Sequence, residues 1–237
     1  MALFDYNTLI QDFNYYKSYD YMVEGQRFVK AESIQINDTD QFDIFLSHSY
    51  ADRKIIPSIK EVLEGMGFKV YVDWINDKLL SRENVSKTTA EILQKRMQQS
   101  KSLFFATSEN SPSSKWMPWE LGYFDGKKDK RVAILPIKTE NNDFKEDFEG
   151  QEYLGLYYYV TIDDASKLLE SHIWAMEKNA FNKMYEEMKK KKSLYIHKDS
   201  STYTSFYDWV SGEKPMKKDE KILHEFNKIL KETSNGK

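Results

Sequence analysis

Between residues 42 and 162, short apolar runs alternate with apolar stripes at helical spacing. Phe42–Leu46 (FDIFL) is a run of strand formers, followed by the small polar residues Ser47, His48 and Ser49. Ile55, Ile59, Val62, Leu63 and Met66 then recur on one helical face. Gly67 stands where a glycine closing that helix belongs. Phe68–Val72 (FKVYV) predicts a second strand and Asp73–Asn84 a polar connection. Val85, Thr89, Ile92, Leu93 and Met97 mark a second helix, and Ser102–Ala106 (SLFFA) a third strand. A helix is expected to start near Pro118, because proline fits a first helical turn. Arg131–Ile137 (RVAILPI) predicts a fourth strand. Tyr153–Thr161 (YLGLYYYVT) predicts a fifth, after the polar loop Lys138–Gln151.

The flanks have a different pattern. Residues 1–41 are rich in aromatics, and Leu9, Phe13 and Tyr16 share one face of a helix expected over Asn7–Tyr19. Asn37–Gln41 reads as the turn that closes this segment. Past the fifth strand, Asp164–Lys192 holds a helical period that ends in four lysines, where cations suit a helix C-terminus. Ser193–Gly212 is polar and aromatic, and a last helix is expected over about residues 217–232. The organisation is therefore a helical N-terminal extension (1–41), an α/β domain (42–162) and a helical C-terminal extension (163–237).

Strands alternating with helices of this length imply a parallel sheet with right-handed crossovers and helices on both faces. Such sheets bind ligands beyond the C-terminal ends of their strands. That edge should carry Ser47–Asp52, Asp73–Asn84 and Ser108–Glu120.

Composition narrows the chemistry. The 237 residues are 40% hydrophobic and 31% charged, enough for a packed core. A net charge of −3 and the lack of a basic stripe give no footprint for nucleic acid. Without cysteine there is no disulfide or thiolate chemistry, which fits a reducing cytoplasm. No apolar run approaches the roughly 20 residues that span a bilayer. The N-terminus lacks the basic and apolar regions of a secretory signal. The four histidines have no metal-ligand spacing, so no metal site is expected. Neither a dinucleotide fingerprint, a phosphate loop nor a nucleophile elbow is present.

One stretch concentrates polar chemistry at the expected ligand edge: Ser111–Gly126, SPSSKWMPWELGYFDG. Glu120 falls in the first turn of its helix, near the positive end of the dipole. Trp116 precedes it by four residues and Trp119 by one. Alone, this reads either as a helix cap with packing aromatics or as an acid held between indoles.

Three stretches in order, FDIFLSHSYAD (42–52), FKVYVDW (68–74) and SLFFATSENSPSSKWMPWELG (102–122), resemble Toll/interleukin-receptor (TIR) domains, bacterial ones in particular. They resemble the first strand with its loop, the second strand with the start of the BB loop, and the third strand with its serine-rich turn and Trp-x-x-x-Glu helix. The resemblance covers about 42–162. It implies the TIR fold, a flavodoxin-like parallel five-stranded sheet, and an enzyme that cleaves NAD+ at the nicotinamide–ribose bond, with NAD+ as substrate and no cofactor. Carried over residue by residue, it makes Glu120 the catalytic carboxylate and Trp116 the aromatic wall beside it. Phe45, Ser47, His48, Asp73 and Trp74 become substrate contacts.

The product depends on the acceptor: water gives ADP-ribose, an internal hydroxyl or adenine nitrogen a cyclic isomer, an external nucleophile a conjugate. The resemblance is to compact, Thoeris-like TIR enzymes of anti-phage defence, in which a separate effector protein senses the product. It also implies self-association through Asp73–Asn84. Two other readings stay open at this level. One is a non-catalytic TIR assembly or adaptor module. The other is an N-glycosidic enzyme of the nucleoside deoxyribosyltransferase kind.

Overall fold

The computed structural model describes residues 4, 5, 7, 36–77, 86–127, 131–138, 152–164, 192–217 and 219–221. The chain divides into two compact units: Phe4–Asp143, and Phe144–Lys237 together with Met1–Leu3. The helices expected over 7–19, 164–192 and 217–232 fall almost wholly outside the described residues, as do the loop 139–151 and positions 78–85.

The first unit is built on parallel strands. β1 is Phe4–Asp5, β2 Phe42–Ser47, β3 Val70–Tyr71, β4 Ser100–Thr107 and β5 Val132–Lys138. β2 pairs with β3 on one side and with β4 on the other, β4 pairs with β5, and β1 adds to β5, all parallel. Ile44, Phe45 and Leu46, with Leu103–Ala106 and Val132–Leu135, are buried. This near-continuous burial is what strands covered on both faces require.

The helices start and stop for local reasons. α1, Ile56–Gly65, has Pro57 in its first turn and buries Ile56, Ile59 and Leu63. It closes in a Schellman arrangement: Phe68 N–H donates to the Leu63 carbonyl at 3.3 Å and Gly67 N–H to the Glu64 carbonyl at 2.9 Å. Gly67 has φ +93°, a conformation L side chains resist. α2 is a single turn, Asp73–Asn76, where only a polar connection was expected. The Asn76 side chain accepts from Val72 N–H at 2.8 Å and closes this turn. α3, Lys87–Gln98, is capped by Ser86, whose hydroxyl accepts from Thr89 N–H at 3.1 Å. α4 is Met117–Lys127, with Pro118 in its first turn.

The second unit corrects two expectations. The fifth strand does not start at Tyr153: Glu152–Leu156 is a 3₁₀ turn, and strand β6 runs Tyr158–Asp164. β6 pairs antiparallel with β7, Lys192–Asp199, so it is no crossover partner of that strand. Nor is the C-terminal extension simply helical. β7 pairs antiparallel with β8, Thr202–Ser205, and β8 with β9, Met216–Lys217. The described residues thus carry nine strands in place of the five expected. The physical reason is local. Ser193–His197 and Thr202–Thr204 are mostly β-branched or aromatic, and Asp199 makes a turn between them, its side chain accepting from Ser201 N–H at 2.9 Å. A short helix, α5 (Phe206–Val210), follows under a Ser205 cap.

Candidate functional site

β2 ends in Ser47, and His48 follows it as the chain leaves the sheet edge towards the short 3₁₀ turn Tyr50–Asp52. β3 ends in Tyr71, and after Val72 the residues Asp73 and Trp74 open α2 at the same edge. β4 ends in Thr107, and α4 brings Glu120 back towards β2. Parallel register makes these ends coincide: Ile44 faces both Val70 and Ser102, and Ser47 faces Phe105.

A contact between Ser47 and Glu120 joins α4 to the end of β2. The Ser47 hydroxyl donates to Glu120 Oε2 at 2.6 Å, across 73 residues of sequence, and both side chains are completely buried. Glu120 N–H donates to the Trp116 carbonyl at 2.8 Å, so Trp116 sits one helical turn before the acid. The hydroxyl bond and the helix N-terminus both stabilise negative charge at Glu120. Trp116 is buried and packs edge-to-face against Trp119 at 5.4 Å, while Trp119 stacks on Tyr123 at 5.8 Å.

His48 lies beside this pair. Its Nδ1 is 2.9 Å from the Leu46 carbonyl oxygen, and its Nε2 accepts from Trp74 Nε1–H at 3.0 Å. Asp73 Oδ1 is 3.7 Å from the same Nε2, and neither side chain is exposed. The structure therefore brings Glu120, Trp116, Ser47, His48, Asp73 and Trp74 to one sheet edge. Phe45 is placed differently. Its ring is buried and stacks on Tyr71 at 5.2 Å, which makes it a core side chain beneath the edge.

Two further polar groups, one buried and one half-buried, were not singled out by sequence. Asp52 accepts from Ser108 Oγ at 2.5 Å and Asn110 Nδ2 at 2.6 Å, tying the loop after β2 to the loop after β4. Asp77, just past α2, is gripped by Arg96 through Nε at 2.8 Å and Nη2 at 3.0 Å, and accepts from the Tyr71 hydroxyl at 2.7 Å. Burial works against the Asp77 carboxylate, but the bonds from Arg96 and Tyr71 outweigh it and hold its carboxyl below the usual range. Burial, reinforced by Asp77, pushes the Tyr71 phenol well up. Arg96 carries a signal that could have found this group. It lies three residues after Leu93, so it shares the buried face of α3 with Thr89, Leu93 and Met97. A charge on a buried stripe needs a partner.

Among the described residues no cluster of His, Cys, Asp and Glu could hold a metal ion. No helix among them is long and apolar enough to cross a membrane. The arrangement offers one carboxylate held by the Ser47 hydroxyl, one helical turn from a buried indole and shielded from bulk water. That combination suits stabilising a positive charge on a flat, ring-bearing ligand.

Comparison with known proteins gives this geometry a setting. Residues 44–169 match the family described as TIR domain. A Bacillus cereus (strain MSX-D12) protein named "Probable 3' cyclic ADP-D-ribose synthase ThsB'" is 47% identical over 169 residues, 71% of this chain and 75% of that protein. A Cytobacillus dafuensis protein named "Putative cyclic ADP-D-ribose synthase TIR2" is 34% identical over 128 residues, 50% of this chain and 34% of that protein.

Proposed function

The chain belongs to the TIR domain family, and on that premise we propose that it cleaves the nicotinamide–ribose bond of NAD+ and closes the ADP-ribosyl group into a cyclic ADP-ribose. The observation that carries this reading is the buried Ser47–Glu120 pair, one helical turn from Trp116. The names of the two relatives supply the reaction class.

Nicotinamide leaves as a neutral molecule, so the bond can break without a general acid. The ribosyl group develops oxocarbenium character, and a fixed carboxylate in a dry site stabilises it without reorganising. Glu120, aimed by the Ser47 hydroxyl, supplies that charge. Trp116 gives the flat wall beside it. A hydroxyl of the same molecule then attacks the ribosyl carbon, and Glu120 accepts the proton it loses. Exclusion of water from the surroundings of Glu120 favours this internal acceptor over hydrolysis. Glu120 is fully buried in this structure, so access by substrate requires side chains at the edge to shift.

The reading has further parts. Residues 42–162 form the catalytic domain, with 1–41 and 163–237 as appendages. NAD+ is the substrate and no cofactor takes part. The enzyme works in the cytoplasm in anti-phage defence, where a separate effector senses the product. Copies of the chain associate through the region Asp73–Asn84.

The test is incubation of the purified protein with NAD+, alone and at high concentration, followed by chromatography and mass spectrometry. Free nicotinamide with an equal amount of a product isobaric with cyclic ADP-ribose is expected. A product heavier by one water makes the protein a hydrolase. No nicotinamide under any condition returns it to the assembly-module reading.

A further inference from the structure

We propose that His48 is a positioning residue held as the neutral Nδ1–H tautomer, whose task is to orient the Trp74 indole and not to move protons. The tautomer follows from the neighbours. The Leu46 carbonyl, 2.9 Å from Nδ1, can only accept, so Nδ1 carries the hydrogen. The Trp74 indole N–H, 3.0 Å from Nε2, can only donate, so Nε2 carries a lone pair. A second ring proton would set two N–H groups against each other. Asp73 Oδ1, at 3.7 Å from Nε2, lies beyond hydrogen-bond distance in this arrangement.

A histidine so held has its one N–H turned to a backbone carbonyl. It cannot accept a proton without releasing Trp74. Its influence on the site therefore runs through that indole. Trp74 is half-buried and belongs to α2, a helix of a single turn with little rigidity of its own. Two anchors hold the turn. His48 ties the Trp74 edge to the end of β2, next to Ser47. The Arg96–Asp77–Tyr71 group fastens the residue after the turn to α3 and β3. With its N–H edge held by His48 and the end of its turn fastened at Asp77, the indole presents one defined face. This rests on the reading that the sheet edge takes NAD+ and deepens it: Trp74 is the wall for one of the dinucleotide's flat rings, and His48 sets its angle.

The experiment uses the full chain labelled with nitrogen-15. At neutral pH the His48 ring, identified by its loss in His48→Gln, should show the neutral Nδ1–H pattern. The Trp74 indole signal, identified by its loss in Trp74→Phe, should move in His48→Ala and return in His48→Gln, whose amide oxygen restores the acceptor. In turnover, His48→Ala should raise KM for NAD+ about tenfold with kcat within about threefold. His48→Gln should stay near wild type, and the His48→Ala/Trp74→Phe double variant should be no worse than Trp74→Phe alone. An Nε2–H tautomer, an imidazolium at neutral pH, an indole signal indifferent to His48, or additive losses in the double variant would each overturn the proposal. Absence of turnover with the indole coupling intact would count against the NAD+ reading alone.

Discussion

The two units each bury a histidine completely, and the two rings are bonded in nearly the same way. His48 has Nδ1 at a carbonyl two residues back and Nε2 on the Trp74 indole. His197 has Nδ1 3.3 Å from the Asp199 carbonyl oxygen, two residues ahead, and Nε2 3.0 Å from the Thr161 hydroxyl. What differs is the company. His197 sits mid-strand in an antiparallel ladder, directly opposite Tyr159 and Tyr203, with each ring stacked on it at 5.3 Å. His48 sits where a parallel strand ends, next to the Ser47–Glu120 pair and 3.7 Å from Asp73. A satisfied buried histidine is thus ordinary structure in one unit and, on the proposed reading, part of a site in the other. Convergence of unlike polar groups at strand ends marks the site; burial alone does not.

The sharpest way to break this contrast is Glu120→Gln. It should lower nicotinamide release at least about a hundredfold, the scale of removing an electrostatic stabiliser. Circular dichroism should show the fold retained. Turnover surviving in the folded variant would remove the site from this edge. His197→Phe should act the opposite way, costing about 2 kcal/mol of unfolding free energy by leaving the Thr161 hydroxyl and the Asp199 carbonyl without their partner. Turnover per folded molecule should be unchanged. A drop in kcat there would show that the second unit enters the chemistry.

Ser47→Ala should lower kcat about tenfold by loss of aim at Glu120, and should also lower the melting temperature, because a buried carboxylate loses a donor. A change confined to KM would make Ser47 a substrate ligand instead. The smallest effect should come from Asp77→Asn, about 1 kcal/mol at neutral pH for a partly exposed pair. Asp77's carboxyl is held below its ordinary value of 3.8. Its ionic contribution is therefore complete above that value and is lost as pH falls through the lower folded one. Chemical denaturation from pH 7 down to pH 2 should show wild type and variant converging in acid. A constant gap would mean that Asp77 acts through packing.

The contrast also shows what sequence patterning can carry. Ser47, Asp73 and Glu120 were reachable because each follows an apolar run in a strand–helix alternation, and parallel topology sends all such ends to one edge. Phe45 shows the limit. Period-two alternation puts it on the face of Ser47, but depth along the strand, which composition does not record, leaves it on Tyr71. The antiparallel strands of the second unit were missed because SLYIHKD and TYTS are short and follow a long helical period. The Arg96–Asp77 grip was missed for a simpler reason: an arginine near a helix end usually reads as a cation suiting the dipole.

The span of the Ser47–Glu120 bond has a consequence for how the protein comes into being. Its two ends are 73 positions apart in sequence, and β3, α3 and β4 must all be in place before hydroxyl and carboxylate meet. Loop closure over such distances is slow, and parallel pairing delays it further. While the chain waits, FDIFL and SLFFA stand as unpaired apolar strands, the kind of segment that associates with other chains. Activity should therefore appear late and all at once in refolding, as the last event of the central sheet. No fragment that ends before α4 can carry any of it.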